Sequence, residues 1–493
     1  MSYSSHTFIC PFRWKITDDK KELFEDQVDM SRIDYVSDSR WVRTAGTAPE
    51  EDLIRFYNEK QYFFDFVHPV LYDNEKDDSI VRHFERRELH EKLPVKYHIK
   101  IKNREYELDM NGMTLNLYGT GVGMLIFSCR NNSPDQSTPE DVLRINQFGR
   151  RIILPFYADK QKRDQTAEYL EISGLVGEKD YREDFMEINP DSPNKPAGFI
   201  TALIKDLANN VTFEPVIDDR MYVISWIADD ELSKKFSLGE KEPAEAANKK
   251  LDEFLYGCDN GFWYRYVFVD ESDPTCQNDK MYKELIDRHT YCRWQKWGTL
   301  YGINRYAMTM LSGASASPHL FVTMDTIYTR MVELALVQRA SILRFSAEIT
   351  RLNSKFTSSE LAGKISSLYS SYIRFVNQIN FHEVSAQDQA IEMYDMLRIS
   401  MRTDEQVEKL DEEIGEVFNH ISLMEDNSTN KQMNYLSWIA TIVLPGSFIV
   451  SIFGMNNVNN SSMYIRSQLL WVGCVWFLGV IVLRFIMNQL KKK

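Results

Sequence analysis

Two apolar stretches close to the C-terminus, Met433 to Phe453 and Ile465 to Met487, constrain this chain more than any other feature. Each approaches the ~20 residues that a helix needs to cross the ~30 Å hydrocarbon core of a bilayer. Between them runs a short loop, Gly454 to Tyr464, with no charged residue. A membrane hairpin with a polar, uncharged tip reads as part of a pore rather than as a simple anchor.

Flanking charge sets the orientation. Lys431 precedes the first stretch, and Arg484 and Lys491 to Lys493 surround the end of the second, whereas only Arg466 stands on the loop side. The positive-inside rule puts both termini in the cytosol and the loop outside. The N-terminus, with Asp18, Asp19, Glu22, Glu25 and Asp26, has the character of neither a secretory signal nor a mitochondrial presequence. The expectation is an integral membrane protein of the plasma membrane, with the vacuolar membrane as the alternative.

The remainder is water-compatible. Mean hydropathy is -0.39, and 493 residues with a formal charge of -14 make several domains with no basic stripe for nucleic acid. An acidic surface suits divalent cations better. None of the six cysteines, Cys10, Cys129, Cys258, Cys276, Cys292 and Cys474, forms a C-x-x-C pair, so zinc-ribbon and redox motifs are excluded. Gly119-Thr-Gly-Val-Gly123 lies in strand pattern with no helix after it, which argues against a nucleotide loop. His382-Glu383 lacks the second histidine of a zincin, and His83 and His90, read as part of a charged helix, lack cysteine partners. No nucleophile–base arrangement stands out; an enzyme is not expected.

Residues 1–317 read as a cytosolic α/β domain. Alternation at Tyr97–Ile101, Glu105–Asp109 and Met113–Leu117, then the run Met124–Cys129, predicts an antiparallel sheet, with further strands at Met221–Ile227 and Tyr264–Asp270. Thr138-Pro139-Glu140-Asp141 reads as a helix start. Asp159–Asp184 and Asn189–Lys195 read as loops or an insertion. Residues 318–384 form a helical arm, with helices near His319–Leu352 and from Ser358 to about Ile379. The stalk, 385–432, starts at a capping box, Ser385 to Asp388, and meets no proline before Pro445. Unbroken into the first span (433–453), it would extend about 70 residues, roughly 100 Å at ~1.5 Å per residue. The loop (454–464), the second span (465–487) and a basic tail (488–493) complete the chain.

The run Trp438-Ile-Ala-Thr-Ile-Val-Leu-Pro-Gly-Ser-Phe-Ile-Val-Ser-Ile-Phe-Gly-Met-Asn456 resembles the first membrane helix of the CorA-type magnesium channel family. In that family a proline-containing span ends in Gly-Met-Asn and is followed by a short loop, a second span and a basic tail. This chain resembles a divergent, eukaryotic-like member, most strongly over 385–493. The resemblance implies a homopentamer that admits Mg2+ through a ring of Gly454, Met455 and Asn456, with Asn456 as the selectivity residue and Mg2+ also regulating from the cytosol. No cofactor is implied; the partners are the other subunits, divalent cations and the bilayer. One departure stands out: the Met-Pro-Glu segment common after Gly-Met-Asn is replaced by Asn457-Val-Asn-Asn-Ser-Ser-Met-Tyr464, which carries no acid.

Stepping back by threes and fours from Asn456 gives Ser451, Ser447, Leu444, Ala440, Ser437 and Met433, then Asn430, all expected to line the pore. Small and hydroxyl residues also serve helix packing in membranes. Further down, Asp426, Glu416, Glu412 and Glu405 continue as an acidic vestibule that concentrates divalent cations. A solvated helix face is the plainer account of those acids. Val407, Leu410, Ile414, Val417, Ile421 and Met424 form a separate apolar face for packing. A neutral Asn carbonyl can accept hydrogen bonds from the tightly held water shell of Mg2+ without stripping it. Zinc or another divalent metal on the same fold, or a non-conducting membrane-anchored regulator, are the alternative readings.

Overall fold

The computed structural model describes residues 3–17, 23–46, 53–153, 166–176, 181–185, 196–217, 220–239, 243–257, 261–314, 319–352 and 358–419, with Met433 and Ser437. The chain divides into two units, residues 1–356 with 363–416, and 357–362 with 417–493. The first carries a mixed sheet and the long helices. In the second, Met433 and Ser437 are helical.

The strands of the first unit are β1 (Tyr3–Ile16), β2 (Trp41–Thr44), β3 (Val81–Arg86), β4 (Val95–Ile101) and β5 (Arg104–Tyr118). They continue as β6 (Val122–Asn131), β7 (Tyr169–Ser173), β8 (Arg182–Asp184), β9 (Val211–Pro215) and β10 (Tyr222–Ala228). The last are β11 (Thr290–Tyr291), β12 (Leu300–Ile303) and β13 (Ala307–Ser312). Their order is β11-β12-β13-β10-β1-β6-β5-β4-β7-β8, with β2 and β3 running off β5 and β9 off β1. β10 and β13 run parallel, and the other pairs are antiparallel.

Two long strands hold this sheet together by changing partner along one edge. β1 pairs with β10 over Tyr3–Ile9 and with β9 over Phe12–Ile16. Pro11 falls in the gap between these partners, where a residue without an N–H does least harm to the ladder. β5 does the same with β4 and β3. The two strands expected at Glu105–Asp109 and Met113–Leu117 are thus one, continuous through a bulge between Met110 and Gly112. That extra residue lets the buried face change parity without a turn.

Other expectations also meet a different structure. Tyr264–Asp270 is not a strand but helix Phe262–Phe268 and its exit, ended by Val269 in the left-handed region. Phe262, Trp263, Tyr264, Arg265, Tyr266 and Val267 are all buried, so no amphipathic period marks the helix. His83 lies on β3 and not on a helix. Within the polar stretch read as loop, β7 and β8 extend the sheet edge. Helix Pro139–Gly149 starts as expected, with Thr138 and Asp141 forming a capping box. The Gly119–Gly123 segment includes the β5–β6 hairpin turn, Gly121 taking φ +74°.

The long helices follow at His319–Thr323, a π-helical turn at Met324–Tyr328, then Thr329–Leu352, Ser358–Gln378 and Asp388–Met401. Helix Thr329–Leu352 is fastened to the sheet by polar side chains. Glu333 accepts from Asn116 and from Tyr118 (2.8 Å), and Ser341 meets Thr120 at 2.9 Å. Arg344 donates to the carbonyls of Trp14 (3.1 Å) and Thr120 (3.2 Å).

Candidate ion pathway

The expected stalk does not start at a capping box. Ser385 Oγ bonds the carbonyl of Tyr62 and accepts from the N–H of Gln387 at 3.2 Å, so it serves a turn that ties the connection to residue 62. The helix starts at Asp388, with Gln387 at the cap position and no side-chain cap.

Nor does the stalk run unbroken from there. Helix Asp388–Met401 ends at Arg402, which adopts φ 55° and ψ 39°, and helical structure resumes over 403–419. A left-handed residue lacking glycine's freedom carries strain, so its surroundings must hold it. Arg398, 3% exposed, does so from the preceding turn. Its guanidinium bonds the Phe381 carbonyl and the Asp404 carboxylate, and Nη2 lies 2.9 Å from His382 Nδ1. Tyr394 also donates to the Phe381 carbonyl (3.1 Å), and Gln338 donates to the Ile379 carbonyl (2.9 Å). Three helices thus meet at one turn of chain, around residues 379–382.

Beyond the break the two expected faces separate. Leu410 and Ile414 are 1% and 2% exposed, whereas Glu412 and Glu416 face outward. Glu405 has a different environment from the other acids. Arg402 grips it with both ends of its fork (2.7 and 2.5 Å), and Lys409 donates to it at 2.9 Å. These cations, Arg402 foremost, hold its carboxyl down at about 2. In a single subunit Glu405 therefore offers a passing cation a charge already shared by two others.

Met433 is 64% exposed, and Ser437 is exposed as well. Asp426, Asn430, Ala440, Leu444, Ser447, Ser451, Gly454, Met455 and Asn456 lie outside the described residues. So do both expected spans, apart from Met433 and Ser437. Among the described residues no helix is long and apolar enough to cross a membrane, and no three histidines, cysteines or carboxylates converge to hold a metal ion.

Sequence reasoning passed over Arg398 and Arg402. Arg398-Ile-Ser-Met-Arg-Thr-Asp404 contains neither glycine nor proline, so nothing in its composition marks a helix end there.

Residues 319–489 match the family model described as "CorA-like Mg2+ transporter protein". Over this stretch the chain is similar to the CorA family. The match starts at the first of the long helices and runs through both apolar stretches, so the CorA-like region takes in the break at Arg402 as well as Gly454-Met455-Asn456. By its description, the matched family is one of Mg2+ transporters. No curated protein matches the chain.

Proposed function

We propose that this chain is one subunit of a homopentameric Mg2+ channel that carries the ion into the cytosol down the membrane potential. The observation that carries this reading is the CorA-family match together with Gly454-Met455-Asn456 at the end of its first apolar stretch. The spans are 433–453 and 465–487, both termini are cytosolic, and the plasma membrane is the favoured site. Five copies of Asn456 form the selectivity ring. Met433, Ser437, Ala440, Leu444, Ser447 and Ser451 line the pore below it, and Asn430, Asp426, Glu416 and Glu412 receive the ion. No cofactor is needed: each divalent ion gains ~4.6 kcal/mol per 100 mV of inside-negative potential, twice the unit-charge value. Mg2+ bound to the cytosolic domains regulates opening.

The test is uptake into liposomes that hold a magnesium-sensitive dye under an inside-negative potential. Flux that vanishes in Asn456→Ala supports the channel and its filter. Flux of zinc in preference to magnesium moves the reading to another divalent metal. A folded oligomer that conducts no divalent ion would make the chain an anchored regulator, the reading that the acid-free loop after Asn456 favours.

A further inference from the structure

A cleft of about 590 Å3 opens in the first unit between residues 25–31, the turn at 77–80, the β5–β6 hairpin and the C-terminal half of helix Ser358–Gln378. Its volume falls in the range of small-molecule sites. Glu25, Asp26, Asp29, Asp77 and Asp78 line it, against a single lining cation among the described residues, Arg374. Some of that charge is compensated: Arg374 pairs with Glu25, and Arg32 lies 3.0 Å from both Asp26 and Asp29. Arg82 stands 3.9 Å from Asp77. Asp78 is exposed and makes no ion pair or hydrogen bond among the described residues.

A second observation is independent of the acids. Ser371, which contributes to the cleft wall, is only 3% exposed, and its hydroxyl has no hydrogen-bond partner among the described residues. Buried hydroxyls are nearly always bonded, so an unpartnered one in a cleft wall points to a polar group supplied from outside the protein.

The arrangement of charge selects the class of ligand. No three of the carboxylates converge on one point, whereas a divalent ion gathers six or more oxygen ligands around itself. The carboxylates instead come from two separate segments, 25–29 and 77–78, and Val28, Ile80 and Ile379 line the same cleft. An extended molecule with several ammonium groups joined by methylenes matches that pattern. Each ammonium has three donors for carboxylate or hydroxyl acceptors, and the methylenes cover the apolar wall. We infer that this cleft binds a linear organic polycation of the polyamine class, with Asp78 and Ser371 among its contacts.

Spermidine titrated calorimetrically into the full-length protein in detergent tests this. Saturable binding is expected, at least fivefold weaker in Asp78→Asn and in Ser371→Ala. Neither residue holds a partner among the described residues, so both variants should keep the melting temperature of the parent. Hydrogen exchange reads the same site without any substitution: spermidine should protect amides of 25–31 and 371–379. Absence of saturable binding, indifference to both substitutions, or protection confined to other segments would overturn the proposal. Displacement of spermidine by Mg2+ at matched ionic strength would overturn it too, because it would make the cleft a diffuse cation surface.

Discussion

A Cβ on Gly121 would lie 1.1 Å from Nη1 of Arg344. The hairpin turn and the helix therefore fit only because residue 121 has no side chain. Among the described residues no carboxylate bonds the guanidinium; it rests on the Phe24 ring, 4.6 Å from the centroid, and on two backbone carbonyls. Burial lowers its pKa to about 9.

Gly121→Ala combines a left-handed φ with that collision. It should destabilise the protein by roughly 2–4 kcal/mol. Arg344→Ala alone strands two carbonyls, at a cost of about 1–3 kcal/mol. The double variant loses clearly less than the sum, since truncating Arg344 removes the clash. Urea unfolding of the four proteins measures the coupling, and strict additivity would refute it.

His6 lies within β1, fully buried, bonded to Asn146 at 2.7 Å and Ser4 at 2.9 Å. Burial lowers its pKa to about 4, outweighing the bond to Asn146. The folded state therefore prefers the neutral ring, while the unfolded chain takes up a proton first. The stabilisation is complete above the unfolded value near 6.5 and is lost as pH falls towards 4, on the order of 3 kcal/mol in all. Unfolding curves between pH 7 and pH 4 should show this slope, and His6→Gln should flatten it.

The break at Arg402 makes opposite predictions for two neighbours. Arg402→Gly removes left-handed strain and should stabilise by about 1 kcal/mol. Arg398→Met removes the donor that spans the break and should cost about 2–3 kcal/mol. Thermal melts compare the two; a destabilised Arg402→Gly would show that its grip on Glu405 outweighs the strain.

Because Glu405 is already shared by Arg402 and Lys409, it should matter less to a passing ion than Glu412 does. Glu405→Gln is expected to leave divalent uptake in liposomes within about twofold, whereas Glu412→Gln lowers it further, most clearly at low salt where screening is weak. Equal effects would mean that assembly rearranges the Arg402 pairing.

Much of the architecture could be read where local chemistry and final burial agree. The helix from His319 and the cap at Thr138 follow from periodicity and capping preference, and both are present. β4 shows the alternation of a half-buried strand, and β6 and β10 the continuous apolar runs of buried ones. The departures share a physical cause, tertiary context overriding a local signal. Phe262–Val267 is buried at every position, which erases the period that would have marked a helix. β1 was obscured by Pro11, tolerable only because one neighbouring strand gives way to another at that position. Ser385 and Asp388 have the spacing of a capping box, but the Tyr62 carbonyl competes for the serine hydroxyl. Of the ion pathway, the separation of Glu412 and Glu416 from Leu410 and Ile414 was legible from spacing. The pairing of Glu405 was not, because it depends on Arg402 leaving the helical conformation.

That departure also limits what a helical wheel can say. Angular phase accumulates at about 100° per residue only while the ladder of backbone hydrogen bonds continues. One left-handed residue resets it, so counting back from Asn456 has no meaning on the N-terminal side of Arg402. Helical phase before 402 and after it must be counted separately, and the Arg398–Asp404 pair is what joins the two helices across the break.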